Sequence, residues 1–234
     1  MKGILYLIPT PIAPDSADAS FTAFDPAILL PLRHFIVEEI KTARRFLRKL
    51  YPDFPIDSCQ FTLLNEHTVK ADYPDLLQPA FDGFNMVLMS EAGLPCVADP
   101  GWQIVALAHE AGINVKPMPG PSSLMQALMA SGFIGQQFVF HGYLPVIPAQ
   151  RVNMLKQIEK DALNKHYTQI FIETPYRNQQ MLNSIINALR PDTMLCIASG
   201  IQTEQESIVV QTVADWKMND VRLLKTPSVF LIYS

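Results

Sequence analysis

Glu91 and Asp99 sit in a loop built otherwise mostly of small, cyclic or apolar residues, "SEAGLPCVADPG", from Ser90 to Gly101. Small side chains let backbone N–H and C=O groups come close to a ligand, and glycine opens conformations closed to other residues. Carboxylates in the same loop suit a ligand's hydroxyl or ammonium groups. The combination fits the holding of a small polar molecule. Three other loops share this make-up: "PTPIAP" from Pro9, "PGPSS" from Pro119 and "ETPYR" from Glu173. Taken singly, a Gly-Pro loop after an apolar run is ordinary punctuation. Four of them at matching positions point to a small-molecule site, because open α/β sheets bind ligands beyond the carboxyl ends of their strands.

Other charged residues widen the chemistry. Glu38 and Glu39 follow the apolar run "FIV", where an acid either favours a helix start or serves as a general base. Lys41, Arg44 and Arg45 form a basic edge, which is either a solvated helix face or a surface for an anionic acceptor. Arg177 can hold a carboxylate or a phosphate. His141 reads as structural, and Met118, Met125 and Met129 as core filler. The chain contains no G-x-G-x-x-G, no G-x-x-x-x-G-K-[ST] and no G-x-S-x-G. A dinucleotide site, a P-loop and a serine hydrolase are therefore disfavoured. Cys59, Cys96 and Cys196 are widely spaced and the five histidines lack metal-ligand spacing, so reduced thiols and no metal site are expected.

The elements that must position these residues alternate along the chain. Strand-length apolar runs ("GILYLIP", "FIVEE", "QFTLLNEH", "NMVLMS", "INVKPMPG") interleave with helical stretches, among them "TARRFLRKL", one near "YPDLLQPAFDG" and Trp102 to Glu110. Continuous apolar strands in β-α alternation predict a mostly parallel sheet covered on both faces. After "PGPSS" come the helix "LMQALMASG", the run "QFVFHGYLP", the amphipathic helix "AQRVNMLKQIEKDALNK", the strand "TQIFIE" and the helix "NQQMLNSIINAL". The last third, "TMLCIAS", "ESIVVQTV" and "SVFLIYS", shows little helix between its runs and predicts antiparallel strands closing a second sheet. The expected organisation is two α/β domains, 1–117 and 118–234.

Composition narrows the function classes. The formal net charge is −4 with 49% hydrophobic residues, which shows no general surplus of cations for nucleic acid and suggests buried sheets and a subunit interface. No apolar run approaches the roughly 20 residues that span a bilayer, so no membrane role is expected. The opening "MKGILYLIPTP" superficially resembles a secretory leader, but Pro9 and Pro11 break it and no small-residue cleavage site follows. It reads as a buried first strand of a cytoplasmic protein.

In order and spacing, "LYLIPTPI", "VEEIKTARRFL", "VLMSEAGLPCVADPG", "GINVKPMPGPSSLMQALMASGF", "FVFHGYLP", "IFIETPYR" and the strand pair after Thr193 resemble the tetrapyrrole-methylase superfamily of S-adenosylmethionine (SAM) methyltransferases. Within it the chain is most similar to the small-subunit rRNA (cytidine-2′-O)-methyltransferase family. The resemblance implies a SAM-binding cleft between an N-terminal, mostly parallel domain and a C-terminal mixed one, and a homodimer. It places SAM against Pro9, Thr10, Glu91, Ala92, Gly93, Val97, Ala98, Ser122 and Ser123. From the second domain it adds Glu173, Thr174, Ala198, Ser199, Gly200, Pro227 and Ser228. On the acceptor side it implies rRNA as the methyl acceptor and, by place in the motif, Glu38 as the general base; Lys41 and Arg177 join it as catalytic candidates on their own chemistry, as cations for an anionic acceptor.

The chain departs from that rRNA family at several positions. Glu91 stands where the family has Asp, and Glu38-Glu39-Ile40-Lys41 where it has E-D-T-R. Ile12-Ala13-Pro14-Asp15 replaces I-G-N, and Ser199 to Thr203 has no clean counterpart to R-E-L-T-K. Two alternatives therefore stand beside RNA methylation: a small-molecule or protein acceptor, and a SAM-binding regulatory protein without catalysis.

Overall fold

The continuous apolar runs of the first half form a five-stranded sheet in which every neighbouring pair is parallel. The computed structural model describes residues 1–13, 25–65, 67–219 and 221–234, so Pro14 and Asp15 of the first loop lie outside the described residues. The chain divides into two units, Met1–Ser122 and Ser123–Ser234. In the first, strands β1 (Ile4–Ile8), β2 (His34–Val37), β3 (Gln60–Leu63), β4 (Met86–Met89) and β5 (Asn114–Pro117) lie in the order β3-β2-β4-β1-β5.

Alternation along the strands sends side chains to two buried faces. Tyr6, Ile8, Phe35, Val37, Val87 and Met89 pack with Leu29 of α1 (Pro26–Leu29) and with Ala43, Phe46 and Leu47 of α2 (Ile40–Leu50). Leu5, Ile36, Met86 and Leu88 pack with Ala80 of α3 (Gln78–Phe81) and with Ile104 and Ala108 of α4 (Trp102–Glu110). The sheet is covered on both sides, which is why its strands carry no polar alternation.

Two elements differ from their sequence expectation. The strand at "FIVEE" stops at Val37, because the Glu39 side chain turns back to accept from the backbone N–H groups of Lys41 (3.0 Å) and Thr42 (2.6 Å) and caps α2. The helix expected near "YPDLLQPAFDG" is two 3₁₀ turns, Lys70–Asp72 and Asp75–Leu77, before the short α3. Pro74 and Pro79 supply no N–H for a longer α-helical ladder.

Connections leave β2 and β4 in opposite directions, β2 to β3 at one edge of the sheet and β4 to β5 at the other. Between two such strands a crevice opens beyond their carboxyl ends.

The second unit comprises α5 (Ser123–Ser131), β6 (Phe138–Tyr143), α6 (Pro148–Lys165), β7 (Thr168–Glu173), α7 (Asn178–Ala188), β8 (Met194–Ser199), β9 (Ser207–Thr212), α8 (Val213–Met218) and β10 (Ser228–Tyr233). Its sheet runs β6-β7-β10-β8-β9; β6 and β7 pair in parallel and the remaining pairs are antiparallel. Leu155, Ile158 and Ala162 of α6 and Met181, Leu182 and Ile185 of α7 bury one face together with Phe171, Ile197 and Phe230. On the other face α5 packs on β9 and β10. The final third holds more helix than its sequence suggests. Thr212 accepts from the Asp215 N–H to start α8, whose Trp216 is buried and donates its indole N–H to the Leu195 carbonyl at 3.1 Å. Chain and fold class agree: two α/β units, one sheet parallel and one mixed. Among the described residues no helix is long and apolar enough to cross a membrane, and all three cysteines are free thiols.

Candidate functional site

Beyond the carboxyl ends of β1, β2 and β4 lies a pocket of about 530 Å³, bordered by Thr10, Glu38, Arg45, Lys49, Ser90 and Glu91 among others. It occupies the crevice that the strand order opens. Glu38 follows β2 directly and is half-buried. Its carboxylate accepts from the Glu91 backbone N–H, while Oε1 is buried with no hydrogen-bond partner among the described residues. Burial first, then the nearby Asp99 and Glu91 charges, push Glu38 up to about 7. Asp99 is raised to about 6 by burial and by the Glu91 charge. Three acids thus face one another at the end of the sheet, and one of them is poised to exchange a proton near neutrality.

The glycine-rich loop is held in place by backbone. Thr10 N–H donates to the Gly93 carbonyl at 2.9 Å and Gly93 N–H returns to the Thr10 carbonyl at 3.1 Å. The Thr10 hydroxyl donates to the Ser90 carbonyl and the Ser90 hydroxyl to the Gly93 carbonyl. Gly93 has φ +80°, and a Cβ there would stand 3.3 Å from Ile12 Cγ2. Farther along, Cys96 and Ala98 take φ of 68° and 66°. Non-glycine residues in this region carry strain of the kind that clusters at ligand sites. Ala92, Val97 and Ala98 are exposed. Pro9 is buried against Gly120, where a Cβ would lie 2.2 Å from Pro9 Cβ, so "PGPSS" touches the first loop through a residue that must be glycine. Ser122 closes the first unit and Ser123 opens the second, both half-buried.

In the second unit Glu173, Ser228 and Ser199 stand in register on the neighbouring strands β7, β10 and β8, and all three are buried. The Ser199 and Ser228 hydroxyls are 2.7 Å apart. Gly200 N–H donates to the Pro227 carbonyl, and Ala198 is buried one position inside β8. Glu173 Oε1 accepts from the Thr174 N–H at 2.8 Å. Arg177 Nη2 lies 2.9 Å from Glu173 Oε2, an ion pair that lacks hydrogen-bond geometry, and Nη2 also donates to the Leu144 carbonyl. Arg177 therefore sits against a carboxylate of its own unit, with Nε buried and without a partner among the described residues.

Within the first unit the structure brings together Thr10, Glu38, Glu91, Ala92 and Gly93, and within the second Glu173, Thr174, Arg177, Ser199, Gly200, Pro227 and Ser228. Lys41 stands apart from the pocket's inner wall, on the outer face of α2 beside Arg44, Arg45 and Arg48. Four positions gain a place that the sequence alone does not give them. Asp99 was visible as the second acid of the loop, but its burial was not. Arg45 and Lys49 were legible as part of a basic helix, though not as pocket walls. Asn178 is 1% exposed and donates to Thr226 O at 2.7 Å and Ser228 Oγ at 2.9 Å; nothing in the string "TPYRN" marks it. Among the described residues no group of three or more His, Cys, Asp or Glu side chains is arranged to hold a metal ion.

The family model described as tetrapyrrole (corrin/porphyrin) methylases matches residues 29–216. The chain is 30% identical over 233 residues to ribosomal RNA small subunit methyltransferase I of Vibrio cholerae, covering 98% of this chain and 77% of that protein. It is also 30% identical to the protein of that name from Bacillus subtilis, over 91% of this chain and 68% of the other. Among solved structures, the methyltransferase CobJ superposes with a TM-score of 0.62 at 16% identity, covering 99% of this chain and 94% of that one. A uroporphyrin-III C-methyl transferase from Thermus thermophilus, complexed with S-adenosylhomocysteine, gives 0.56 at 14% identity over 99% of this chain and 98% of the other. At such identities the likeness to solved structures speaks for the fold.

Proposed function

The chain belongs to the tetrapyrrole (corrin/porphyrin) methylase family of SAM-dependent methyltransferases, and on that premise we propose that its acceptor is ribosomal RNA, methylated at a ribose 2′-hydroxyl. The observation that carries this reading is the crevice pocket with Glu38 on its wall and the Glu38 Oε1 buried without a partner. A ribose hydroxyl is a weak nucleophile, and a carboxylate near neutrality is suited to take its proton. Likeness to two ribosomal RNA methyltransferases along most of the chain supports the choice of acceptor.

The residues present fit SAM. Gly93 leaves room for a close approach that a Cβ would restrict, and the exposed Glu91 carboxylate offers an acceptor for a hydroxyl or ammonium group. SAM, when bound, supplies an electrophilic methyl group on its sulfonium. In the first unit Pro9, Thr10, Glu91 to Gly93, Val97, Ala98 and Ser122 are assigned to hold it. In the second the assigned residues are Ser123, Glu173, Thr174, Ala198 to Gly200, Pro227 and Ser228. Glu38 orients the acceptor hydroxyl and receives its proton, Lys41 attracts the acceptor's negative charge, and Arg177 steadies an anionic group while keeping Glu173 in place. An rRNA acceptor implies a cytoplasmic enzyme. A homodimer is supported by exposed apolar side chains in the second unit, Val146 and Ile147 among them, and light scattering at tens of micromolar would reveal it.

The test is incubation of the purified protein with methyl-labelled SAM and small-subunit ribosomal particles, followed by digestion and chromatography of the nucleosides. Label in a 2′-O-methylated nucleoside is expected. Label confined to protein or small molecules would overturn the RNA assignment.

A further inference from the structure

Helix α2 concentrates Lys41, Arg44, Arg45, Arg48 and Lys49 within its 11 residues, "IKTARRFLRKL", and contains no acid. The protein as a whole carries 18 Lys and Arg against 22 Asp and Glu. The helix therefore stands out as a basic island on an acidic molecule. Its fold is secured by its other side, where Ala43, Phe46 and Leu47 are buried in the core, so the cations are not needed to dock it. Like charges at i, i+4 spacing even weaken a helix slightly.

Four observations single out this face, and the first two connect it to the site. Arg45 and Lys49 line the pocket that holds Glu38. Arg45 also lines a second, adjoining depression with Lys41, Arg44 and Arg48, where the one acid, Glu39, is engaged in capping the helix, so cations predominate from the pocket wall outward. Arg44 lies over the Phe61 ring and pairs with the exposed Asp57 at 2.9 Å, whereas Arg45 and Arg48 have no carboxylate partner within ion-pair distance among the described residues. Lys41, Arg45 and Lys49 follow one another at i+4 intervals, about 6 Å apart along the axis, a separation comparable with that of successive phosphates on one nucleic-acid strand.

We infer that this face of α2 is a phosphate-binding ledge that holds the backbone of a single-stranded RNA acceptor and leads one ribose into the pocket beside Glu38. The inference rests on the RNA reading above. A single strand is required because a ribose of a paired duplex cannot enter a pocket while its neighbours lie along a helix face; splayed strands are the usual targets of site-specific RNA binding. Phosphate contacts release condensed counterions, so the ledge has a signature in salt dependence that a merely solvated helix face lacks.

The experiment measures fluorescence anisotropy of a labelled, unstructured oligoribonucleotide across a salt series, for the wild type and for Arg45→Gln/Arg48→Gln. Loss of two phosphate contacts should reduce the slope of log K against log salt by about 1.4, raise the KM for RNA at least tenfold and leave the SAM affinity unchanged by calorimetry. Arg45→Lys/Arg48→Lys should recover most of the slope. If the double variant melts early, Arg48→Gln alone decides, with half the change expected. A wild type that methylates RNA beside a variant with unchanged slope and KM overturns the ledge and leaves the acceptor assignment standing. A wild type that binds no RNA and labels another acceptor overturns both. Equal affinity for a perfect duplex would overturn the single-strand assignment.

Discussion

Glu38 and Glu173 occupy comparable places, each at the carboxyl end of a strand in its own unit, and their surroundings are opposite. Glu173 is almost fully buried beside an opposite charge: Oε1 accepts from the Thr174 N–H, and Oε2 lies 2.9 Å from the Arg177 guanidinium without hydrogen-bond geometry. Glu38 is only half-buried, yet one of its oxygens has no partner and its nearest charges are those of two other acids. Deep burial between a backbone N–H and a guanidinium holds a carboxylate in one orientation. Shallow burial among like charges leaves it free to change protonation state. The first arrangement suits a groove that positions a polar ligand, and the second suits proton transfer.

The sharpest way to break this contrast is to remove Glu38's ability to take a proton. Glu38→Gln should lower kcat by a factor of about 10²–10⁴ with SAM binding retained, as read by single-turnover assay beside calorimetry. A variant with wild-type kcat would end the general-base role. Glu173→Ala should act on stability instead, costing about 3 kcal/mol because Arg177 is left mostly buried and uncompensated; a denaturant midpoint within error of wild type would remove Glu173 from the structural side of the comparison. Gly93→Val tests the loop that lies beside Glu38 in the first unit. With φ +80° and Ile12 in the way, the substitution should introduce about 2 kcal/mol of local strain and reduce SAM affinity by more than tenfold, measured as an isotherm beside a melting curve. Lost stability with intact SAM affinity would mean that the loop is a latch rather than a seat for the cofactor.

The smallest effect is on stability against pH. Because Glu38 is raised from 4.5 to about 7, the native state binds the proton more tightly than the unfolded chain. The stability this contributes is fully present below about 4.5 and is lost as pH rises through about 7. Activity through the same group should run the other way, with kcat rising to a plateau above about 7. Glu38→Gln removes the titration, so at pH 8 it should be more stable than wild type by about 1 kcal/mol, discounted for the group's partial exposure. Melting curves at pH 5 and pH 8 for both proteins check the sign.

The loops that carry the candidate site were legible in the sequence because each has a local cause. Apolar runs end, small residues begin, and the strand order then places the ends side by side. The parallel sheet was legible for the same reason, through strands without polar alternation. What stayed hidden depends on distant partners. Asn178 matters because β10 brings Thr226 and Ser228 to it from far along the chain. The orphaned oxygen of Glu38 exists because loops after β1 and β4 enclose it. The short helix α8 escaped notice because its capping Thr212 belongs equally well to the end of a strand.

Strand β10 is the last of the described strands in chain order, yet it lies in the middle of its sheet, between β7 and β8. Without it the sheet would be two separate ribbons, β6-β7 and β8-β9, with inner edges at Phe171 and Ile197 left unpaired. Such edges invite pairing with the wrong chain, and distant pairings form late. In chain order the first unit has all its strands before the second begins, whereas the second cannot complete its sheet until β10 is made.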